Sequence, residues 1–280
     1  MTERVASLRS FYGSGDQMIP VSDLAHVTHE NPEYTADSHT LLISTPRSGS
    51  TMLCTNIDCK DGGAAAEYCQ PHQIIPYLMN ERPWVARDNK LNMRDYADYL
   101  MNYRSGASQN LFINIHASHV SIYDRLSGHL PELKSAFLLF RRNIVAQAVS
   151  YYIASETKVW SSGYEASDAA EPEFDYAKIR ERLLALIQGC FDNANRFASL
   201  NPQVIIYEDY LEQKMSFARL NAVASASDAT IITKKQSTGV NRAFAERFLE
   251  MSESLPDTDV RSCIEYYARL VDSLTSRISN

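Results

Sequence analysis

Residues 40–56 read Thr-Leu-Leu-Ile-Ser-Thr-Pro-Arg-Ser-Gly-Ser-Thr-Met-Leu-Cys-Thr-Asn, and this stretch decides the fold. Its apolar start predicts a short buried strand, over residues 40–44. A loop at residues 45–51 and a helix reaching about residue 59 are expected to follow. Backbone N–H groups at the start of a helix point outward and bind anions. The stretch therefore predicts a phosphate or sulfate loop, and the alternative is an ordinary turn that leads into a helix.

The side chains of this loop are suited to an anion. Arg47 supplies a fixed positive charge, and Ser48, Ser50 and Thr51 supply hydroxyl donors. The common ATP-binding pattern G-x-x-x-x-G-K-[ST] does not match, because Gly49 is the only glycine and no Gly-Lys pair follows it.

A second segment supports an anion site. Residues 136–140 form another apolar run, and Arg141 and Arg142 follow it directly. Ser150 lies eight residues after Arg142, about two turns into the helix that the sequence predicts there. An arginine at a strand end and a serine on a helix can hold one anion between them. The alternative is a surface arginine and an unrelated helix serine.

These two segments resemble the sulfotransferases that use 3′-phosphoadenosine-5′-phosphosulfate (PAPS). Those enzymes carry a 5′-phosphosulfate loop similar to residues 45–51 and a 3′-phosphate motif R-x7-S, which often ends A-V-S-Y-Y as residues 148–152 do here. Within the superfamily, the chain is most similar to the bacterial trehalose 2-sulfotransferase type. The matching pieces lie in the same order between residues 40 and 250: residues 45–51, 67–68, 147–150 and 158–160.

Two positions depart from the trehalose type. Residues 111–116 lack the Gly and Lys that those enzymes carry in the corresponding strand, and Ala64 stands where a second acidic residue is expected. The donor assignment is unaffected, while the acceptor sugar is left open.

The resemblance implies a role for each matching residue. Arg47 and the loop amides of residues 48–51 (Ser48, Gly49, Ser50, Thr51) would bind the 5′-phosphate, and no metal is expected. Arg142 and Ser150 would bind the 3′-phosphate. Lys234, Lys235 and Gln236 resemble the start of the R-K-G-x-x-G loop that closes over that phosphate, with Gln236 in place of the first glycine. The alternative for the two lysines is a solvated basic turn.

The general base for the acceptor hydroxyl has two candidates. Glu67 matches the base of the trehalose-type enzymes, and the alternative is an ordinary surface glutamate. Cytosolic steroid and aryl sulfotransferases use a histidine, which makes His116 the rival. His119 and His72 are the remaining histidine candidates. Four aromatic residues are candidates for stacking on an acceptor: Tyr68, Trp84, Trp160 and Tyr164.

Length and charge set further limits. A chain of 280 residues favours one large domain, with residues 1–39 as a polar extension that partly packs on it. The net charge of −7 argues against sequence-independent nucleic-acid binding. An anionic donor still fits if the cations gather in one cleft, and the candidates are Arg47, Arg142, Lys234 and Lys235.

The five cysteines are odd in number and lack C-x-x-C spacing, which argues against a zinc site. Reduced thiols in a cytoplasmic protein are expected, and the alternative is a disulfide among Cys54, Cys59 and Cys69. No apolar stretch approaches the roughly 20 residues of a membrane span, and no signal-peptide core is found. The sequence therefore predicts a soluble protein that is not exported.

Strands alternate with helices along the chain. Further strands are predicted at residues 111–115, 137–140 and 204–207, and a polar loop at 161–173. Helices are predicted at 143–157, with Asn143 as the N-cap, at 175–200 and from Asp209, and residues 71–105 are expected to be helical with loops. This order is typical of a P-loop-like α/β fold, in which helices cover both faces of a mostly parallel sheet.

The sequence thus predicts a PAPS-dependent sulfotransferase. Its acceptor would be a hydroxyl of a carbohydrate, glycolipid or other small alcohol, and the resemblance implies a homodimer. Two alternatives stay open: a P-loop kinase or nucleotide hydrolase, and a nucleotide-binding module without catalysis.

Overall fold

The computed structural model describes residues 30–61, 63–72, 74–88, 90–160, 172–212, 239–254 and 258–276. Two sheets lie within these ranges. The central sheet contains β1, β4, β5 and β6, and a small antiparallel hairpin contains β2 and β3. The strands are β1 Ser38–Ile43, β2 Ala86–Arg87, β3 Lys90–Leu91, β4 Asn110–Ile115, β5 Glu132–Phe140 and β6 Gln203–Ile206.

The central sheet is parallel at every strand pair of the described chain. Its order is β4-β1-β5-β6, so β1 lies between β4 and β5. Ile43, at the end of β1, is in register with Ile115 of β4 and Leu138 of β5. The chain runs from β1 to β4 on one side and then to β5 on the other side. In open α/β sheets, ligands bind at such a switch point, at the carboxyl ends of the strands.

Helices surround this sheet. They are α1 Ser50–Asp61, α2 Ile74–Glu81, α3 Met93–Tyr103, α4 Val120–Ser127, α5 Ile144–Thr157, α6 Tyr176–Arg196, α7 Tyr207–Leu211, α8 Gly239–Ser254 and α9 Thr258–Ser276, with short 3-10 helices at Pro83–Val85, Ala117–His119 and Ala198–Leu200.

Both faces of the sheet are buried. Successive residues of a strand point to opposite faces, and β1 is buried at every position from His39 to Ile43. Leu42 of β1 packs in one apolar cluster with Leu53 of α1, while Leu41 packs in the cluster on the other face with Val149 of α5 and Leu183 of α6. The α/β fold class, with a parallel sheet covered by helices on both faces, is therefore confirmed.

Local signals located several elements closely. Asn143 caps α5, since its side chain accepts a hydrogen bond from the backbone N–H of Ala146. Strand β5 begins at Glu132, five residues before the expected start, because its exposed first half lacks the apolar run that marks a buried strand. Tyr207 starts α7 and does not end β6. The hairpin β2–β3 and helices α4, α8 and α9 were not predicted.

Part of the predicted N-terminal extension belongs to the domain. The backbone N–H groups of Asn31 and Ala36 donate to the carbonyls of Tyr103 and Met101, at 2.9 and 2.8 Å. Strand β1 begins at Ser38, so the last two residues of the predicted extension lie in the sheet. Residues 1–29, most of the polar loop at 161–173 including Tyr164, and the segment that contains Lys234, Lys235 and Gln236 lie outside the described residues.

Two of the cysteines considered for a disulfide, Cys54 and Cys69, are buried and form no disulfide within the described residues. Burial raises the pKa of Cys69 to about 12, so this thiol stays protonated at neutral pH. No helix of the described ranges has the length and apolar character that a bilayer crossing needs.

Candidate functional site

The loop between β1 and α1 has the backbone shape of an anion site. Arg47 and Gly49 adopt positive φ values of 62° and 97°. Left-handed residues that alternate with ordinary ones turn successive N–H groups toward one concave side, and such concavities bind anions. The first turn of α1 follows directly, and its N–H groups have no acceptor within the helix. The loop predicted from sequence therefore lies at a strand–helix junction.

Two buried amide side chains hold this loop from behind. Gln147 of α5 donates through Nε2 to Thr45 Oγ1 at 2.9 Å and to the Pro46 carbonyl at 2.7 Å. Asn193 of α6 donates through Nδ2 to the Ser44 carbonyl at 3.2 Å. In the sequence, Gln147 was noted only as part of the matching piece at residues 147–150, and Asn193 lies in a predicted helix without an assigned role.

Gly49 is packed too closely for any side chain. A Cβ atom at this position would lie 2.2 Å from the ring of Tyr207, at the start of α7. The positive φ adds backbone strain for every residue other than glycine. The single glycine of the loop is therefore required by both backbone conformation and packing.

The hydroxyl of Ser48 is buried and has no hydrogen-bond partner among the residues that the structure describes. Ser48 as a whole is 0% exposed. Leaving a buried hydroxyl unpaired costs about 1–3 kcal/mol, so such groups generally have a partner in the working protein. The Ser48 hydroxyl is therefore a candidate hydrogen-bond donor for a ligand at this loop.

Two guanidinium groups lie at this loop. Arg47 donates through Nε to Ser150 Oγ at 3.0 Å and through Nη1 to the Trp160 carbonyl. Arg141 donates through Nη1 to the Arg47 carbonyl at 3.2 Å, and its guanidinium lies 4.7 Å from the centre of the Tyr207 ring. Burial, and then the charge of Arg141, lower the pKa of Arg47. Two like charges in a partly buried site favour the binding of an anion.

Arg142 and Ser150 have different hydrogen-bond partners. Its guanidinium donates to Asp209 Oδ2 at 2.6 Å, and its side chain is 46% exposed. Its backbone N–H donates to Glu208 at 2.9 Å. The structure thus brings Ser150 to Arg47, while a shared 3′-phosphate contact of Arg142 and Ser150 stays a prediction. Arg141 was missed because the R-x7-S spacing selects the second residue of the Arg-Arg pair.

A second polar cluster contains both rival bases. Glu67 Oε1 lies 3.4 Å from Asn114 Nδ2 and 3.5 Å from His116 Nε2, and Glu67 Oε2 lies 4.0 Å from His119 Nε2. Ala66, just before Glu67, bridges in parallel to Ile113 of β4. This pairing carries the carboxylate to the end of β4, where the two histidines follow.

Burial makes both histidines of this cluster neutral at physiological pH. Burial lowers the pKa of His116 to about 4. It also lowers the pKa of His119 to about 4, although the nearby Glu67 carboxylate raises this pKa by a smaller amount. Their rings stack with centroids 5.0 Å apart. Within the described residues, the atoms of Glu67, His116 and His119 that could bind a metal all lie within 4.8 Å of one another.

The two clusters are connected through Asn114. Ser44, the residue before the loop at residues 45–51, donates through Oγ to Asn114 Oδ1 at 2.8 Å. Asn114 in turn donates through Nδ2 to Glu67. One side chain of β4 therefore links the anion loop to the carboxylate, a role that the sequence did not reveal.

The aromatic candidates differ in whether their rings are exposed and could stack on an acceptor. Tyr68 is fully buried, so it cannot stack on an acceptor. Trp84 is exposed and packs edge-on against Tyr99, with centroids 5.6 Å apart. Trp160 is also exposed and lies beside Arg47 through its carbonyl. His72 is an exposed turn residue.

The chain is similar to a solved structure, while family models and curated proteins give no match. Among solved structures, the chain is similar to the sulfotransferase domain from the Synechococcus PCC 7002 olefin synthase, with a TM-score of 0.48 and 14% identity, over 84% of this chain and 96% of that domain. Any functional assignment therefore depends on the geometry of the site itself.

Gly49→Ala should destabilise the protein, because the new Cβ meets Tyr207 and the residue keeps a left-handed φ. We expect a loss of about 1–3 kcal/mol in the free energy of unfolding, measured by urea titration. Gly128→Ala is the control, since nothing lies within 4 Å of a Cβ there, and it should change stability by less than about 0.5 kcal/mol. Equal stability of the two variants would contradict the packing argument.

Acid should weaken the fold through the histidine pair. Between pH 6.5 and about 4, His116 and His119 bind protons in the unfolded chain and stay neutral in the folded chain. The free energy of unfolding therefore falls as the pH is lowered through this window, by up to about 1.4 kcal/mol per pH unit for each histidine. A double variant, His116→Gln with His119→Gln, should lose much of this dependence in urea titrations between pH 7 and pH 5. An unchanged pH dependence would show that the pair titrates normally.

Proposed function

We propose that the protein is a PAPS-dependent sulfotransferase that transfers a sulfuryl group to an alcohol. The observation that carries this proposal is the buried Ser48 hydroxyl, which has no hydrogen-bond partner among the described residues, in a loop that contains Arg47 and contacts Arg141. That loop lies at the same sheet edge as the Glu67–histidine cluster. An anion site beside a candidate base is the arrangement that sulfuryl transfer to a hydroxyl needs.

The loop residues fit the 5′ end of such a donor. The Ser48 hydroxyl and the Arg47 guanidinium would bind phosphate oxygens together with the backbone N–H groups of Gly49, Ser50 and Thr51. The 3′-phosphate is assigned to Arg142, Ser150, Lys234, Lys235 and Gln236. When bound, PAPS supplies the sulfuryl group, and its phosphate is the leaving group.

Arg47 would contribute mainly through charge. Negative charge grows on the leaving phosphate oxygen as the bond to sulfur breaks, and a fixed guanidinium stabilises that growing charge. The Arg47 side chain is held at Nε by Ser150 and at Nη1 by the Trp160 carbonyl. A cation that is already positioned needs little reorganisation during the reaction.

Glu67 would take the proton of the acceptor hydroxyl. Its carboxylate is part-buried and faces Asn114 and two imidazoles. We favour Glu67 over His116 because Glu67 matches the base of the trehalose-type enzymes and because its side chain is the more exposed of the two, 26% against 15%. Burial also lowers the pKa of His116 to about 4, below that of an exposed histidine.

The kinase alternative has less support from this site. The loop lacks the Gly-Lys pair, and the acidic residues just after β6, Glu208 and Asp209, contact Arg141 and Arg142. These carboxylates are used in ion pairs with arginines. A sugar or glycolipid acceptor, implied by the trehalose-type resemblance, and a homodimer are parts of the same proposal.

The donor assignment predicts a preference among nucleotides. Adenosine 3′,5′-bisphosphate should bind more tightly than AMP, because Arg142 contacts the 3′-phosphate. Arg142→Ala should weaken bisphosphate binding by about 1.5–3 kcal/mol, which is typical of a hydrogen bond to a charged group, and leave AMP binding unchanged. Isothermal titration calorimetry measures both, with the exposed Arg269→Ala as control. Equal affinities for the two nucleotides would contradict PAPS as the donor.

The assignment of Glu67 as the base predicts which of two substitutions lowers the rate of sulfuryl transfer more. Glu67→Gln should lower the rate of sulfuryl transfer by about 10²–10⁴ and keep bisphosphate affinity, since the amide is nearly isosteric. His116→Ala should lower the rate less. Single-turnover rates with saturating PAPS and trehalose as the acceptor probe measure the order. Greater damage in His116→Ala would assign the base to the histidine.

A further inference from the structure

His119 occupies a position that fixes where its proton lies. Its ring is 4% exposed at the side chain, and it closes the 3-10 helix Ala117–His119 that follows β4. The backbone N–H of His116 donates to His119 Nδ1 at 3.2 Å. An imidazole nitrogen that accepts a hydrogen bond carries no proton, so Nδ1 is the unprotonated nitrogen.

The other ring nitrogen must then carry the hydrogen. Burial lowers the pKa of His119 to about 4, so the ring is neutral at pH 7. A neutral imidazole has one N–H, and with Nδ1 occupied as an acceptor it is Nε2–H. His119 Nε2 lies 4.0 Å from Glu67 Oε2. The backbone contact therefore aims a donor at the carboxylate.

The second carboxylate oxygen has its own donor. Glu67 Oε1 accepts from Asn114 Nδ2, and Asn114 Oδ1 accepts from Ser44, which fixes the orientation of the amide. The two oxygens of Glu67 thus face N–H groups from two different residues, both of which are oriented by further hydrogen bonds. The titratable side chains near His119 are Glu67, His116 and His72.

The same tautomer argues against a metal ion in this cluster. A metal binds the lone pair of an imidazole nitrogen, and the nitrogen of His119 that faces Glu67 carries a proton. Binding a divalent ion there would require breaking the hydrogen bond from the His116 backbone. The close spacing of Glu67, His116 and His119 instead places the Nε2–H of His119 near the carboxylate, at a distance longer than a hydrogen bond.

We propose that His119 is a positioning residue for the reaction: its Nε2–H, fixed by the His116 backbone and 4.0 Å from Glu67 Oε2 in the free protein, forms a hydrogen bond to that oxygen when the acceptor binds. This bond orients the Glu67 carboxylate toward the acceptor hydroxyl. The proposal rests on the proposed function, in which Glu67 is the base. His119 itself contacts no reacting atom. Catalytic hydrogen bonds that are long in the free enzyme tighten when the substrate binds, and a base that is held in this way raises turnover without changing how tightly the donor binds.

Two substitutions of His119 distinguish a role in orienting Glu67 from a role in capping the 3-10 helix. In His119→Asn, the side-chain oxygen can accept the His116 N–H, but no donor reaches Glu67. In His119→Gln, the longer amide can place an N–H near the position of Nε2. We expect His119→Asn to lower the rate of transfer from PAPS to trehalose at least tenfold with an unchanged KM for PAPS, and His119→Gln to stay within about threefold of wild type. The exposed His129→Asn is the control.

The opposite order, with His119→Asn active and His119→Gln impaired, would show that His119 only caps its helix and would overturn the proposal. Equal urea-unfolding midpoints of the two variants would exclude a folding defect as the reason for the difference.

A second measurement does not depend on activity. In protein labelled with ¹⁵N-histidine, two-bond couplings identify the tautomer of His119, whose signals are assigned from their absence in His119→Gln. We expect the neutral Nε2–H form at pH 7. An Nδ1–H form, or binding of one Zn²⁺ that is lost in Glu67→Gln, would overturn the proposal. Failure of the proposed function itself would appear separately, as absence of adenosine 3′,5′-bisphosphate binding.

Discussion

Parallel pairing of β1 with both β4 and β5 is the constraint on which the site depends. Because Ile43 is in register with Ile115 and Leu138, the three strands end at one edge of the sheet. The anion loop leaves β1 there, and His116 leaves β4 there, while Arg141 follows the longer β5. Side chains that lie up to about a hundred residues apart in the sequence, from Arg47 to Arg141, are thereby brought to one switch point of the sheet topology.

The two clusters at this edge differ in charge. The loop at residues 45–51 contains Arg47 and contacts Arg141, and its Ser48 hydroxyl has no hydrogen-bond partner among the described residues. In the second cluster, Glu67 faces Asn114 and two imidazoles that are neutral at physiological pH. Positive charge is therefore gathered at the loop and negative charge at Glu67, at the same edge of the sheet.

Local signals predicted the loop and the cap at Asn143, because both depend on a few adjacent residues. Contacts between distant segments could not be read in this way. The choice between Arg141 and Arg142 depends on how β5 meets α7, which spacing does not encode. Glu67 and His116 were treated as rivals, yet the bridge from Ala66 to β4 makes them neighbours.

The proposed donor site would make the stability of the whole domain depend on the solution. Any species that binds only the folded form adds RT ln(1 + [L]/Kd) to the free energy of unfolding. Sulfate and phosphate share the tetrahedral oxygens of the donor's 5′ end, so under the proposed function they would bind at Ser48 and the adjacent guanidinium groups. Chloride lacks these oxygen acceptors, and the two kinds of buffer salt would then differ in how much they stabilise the fold.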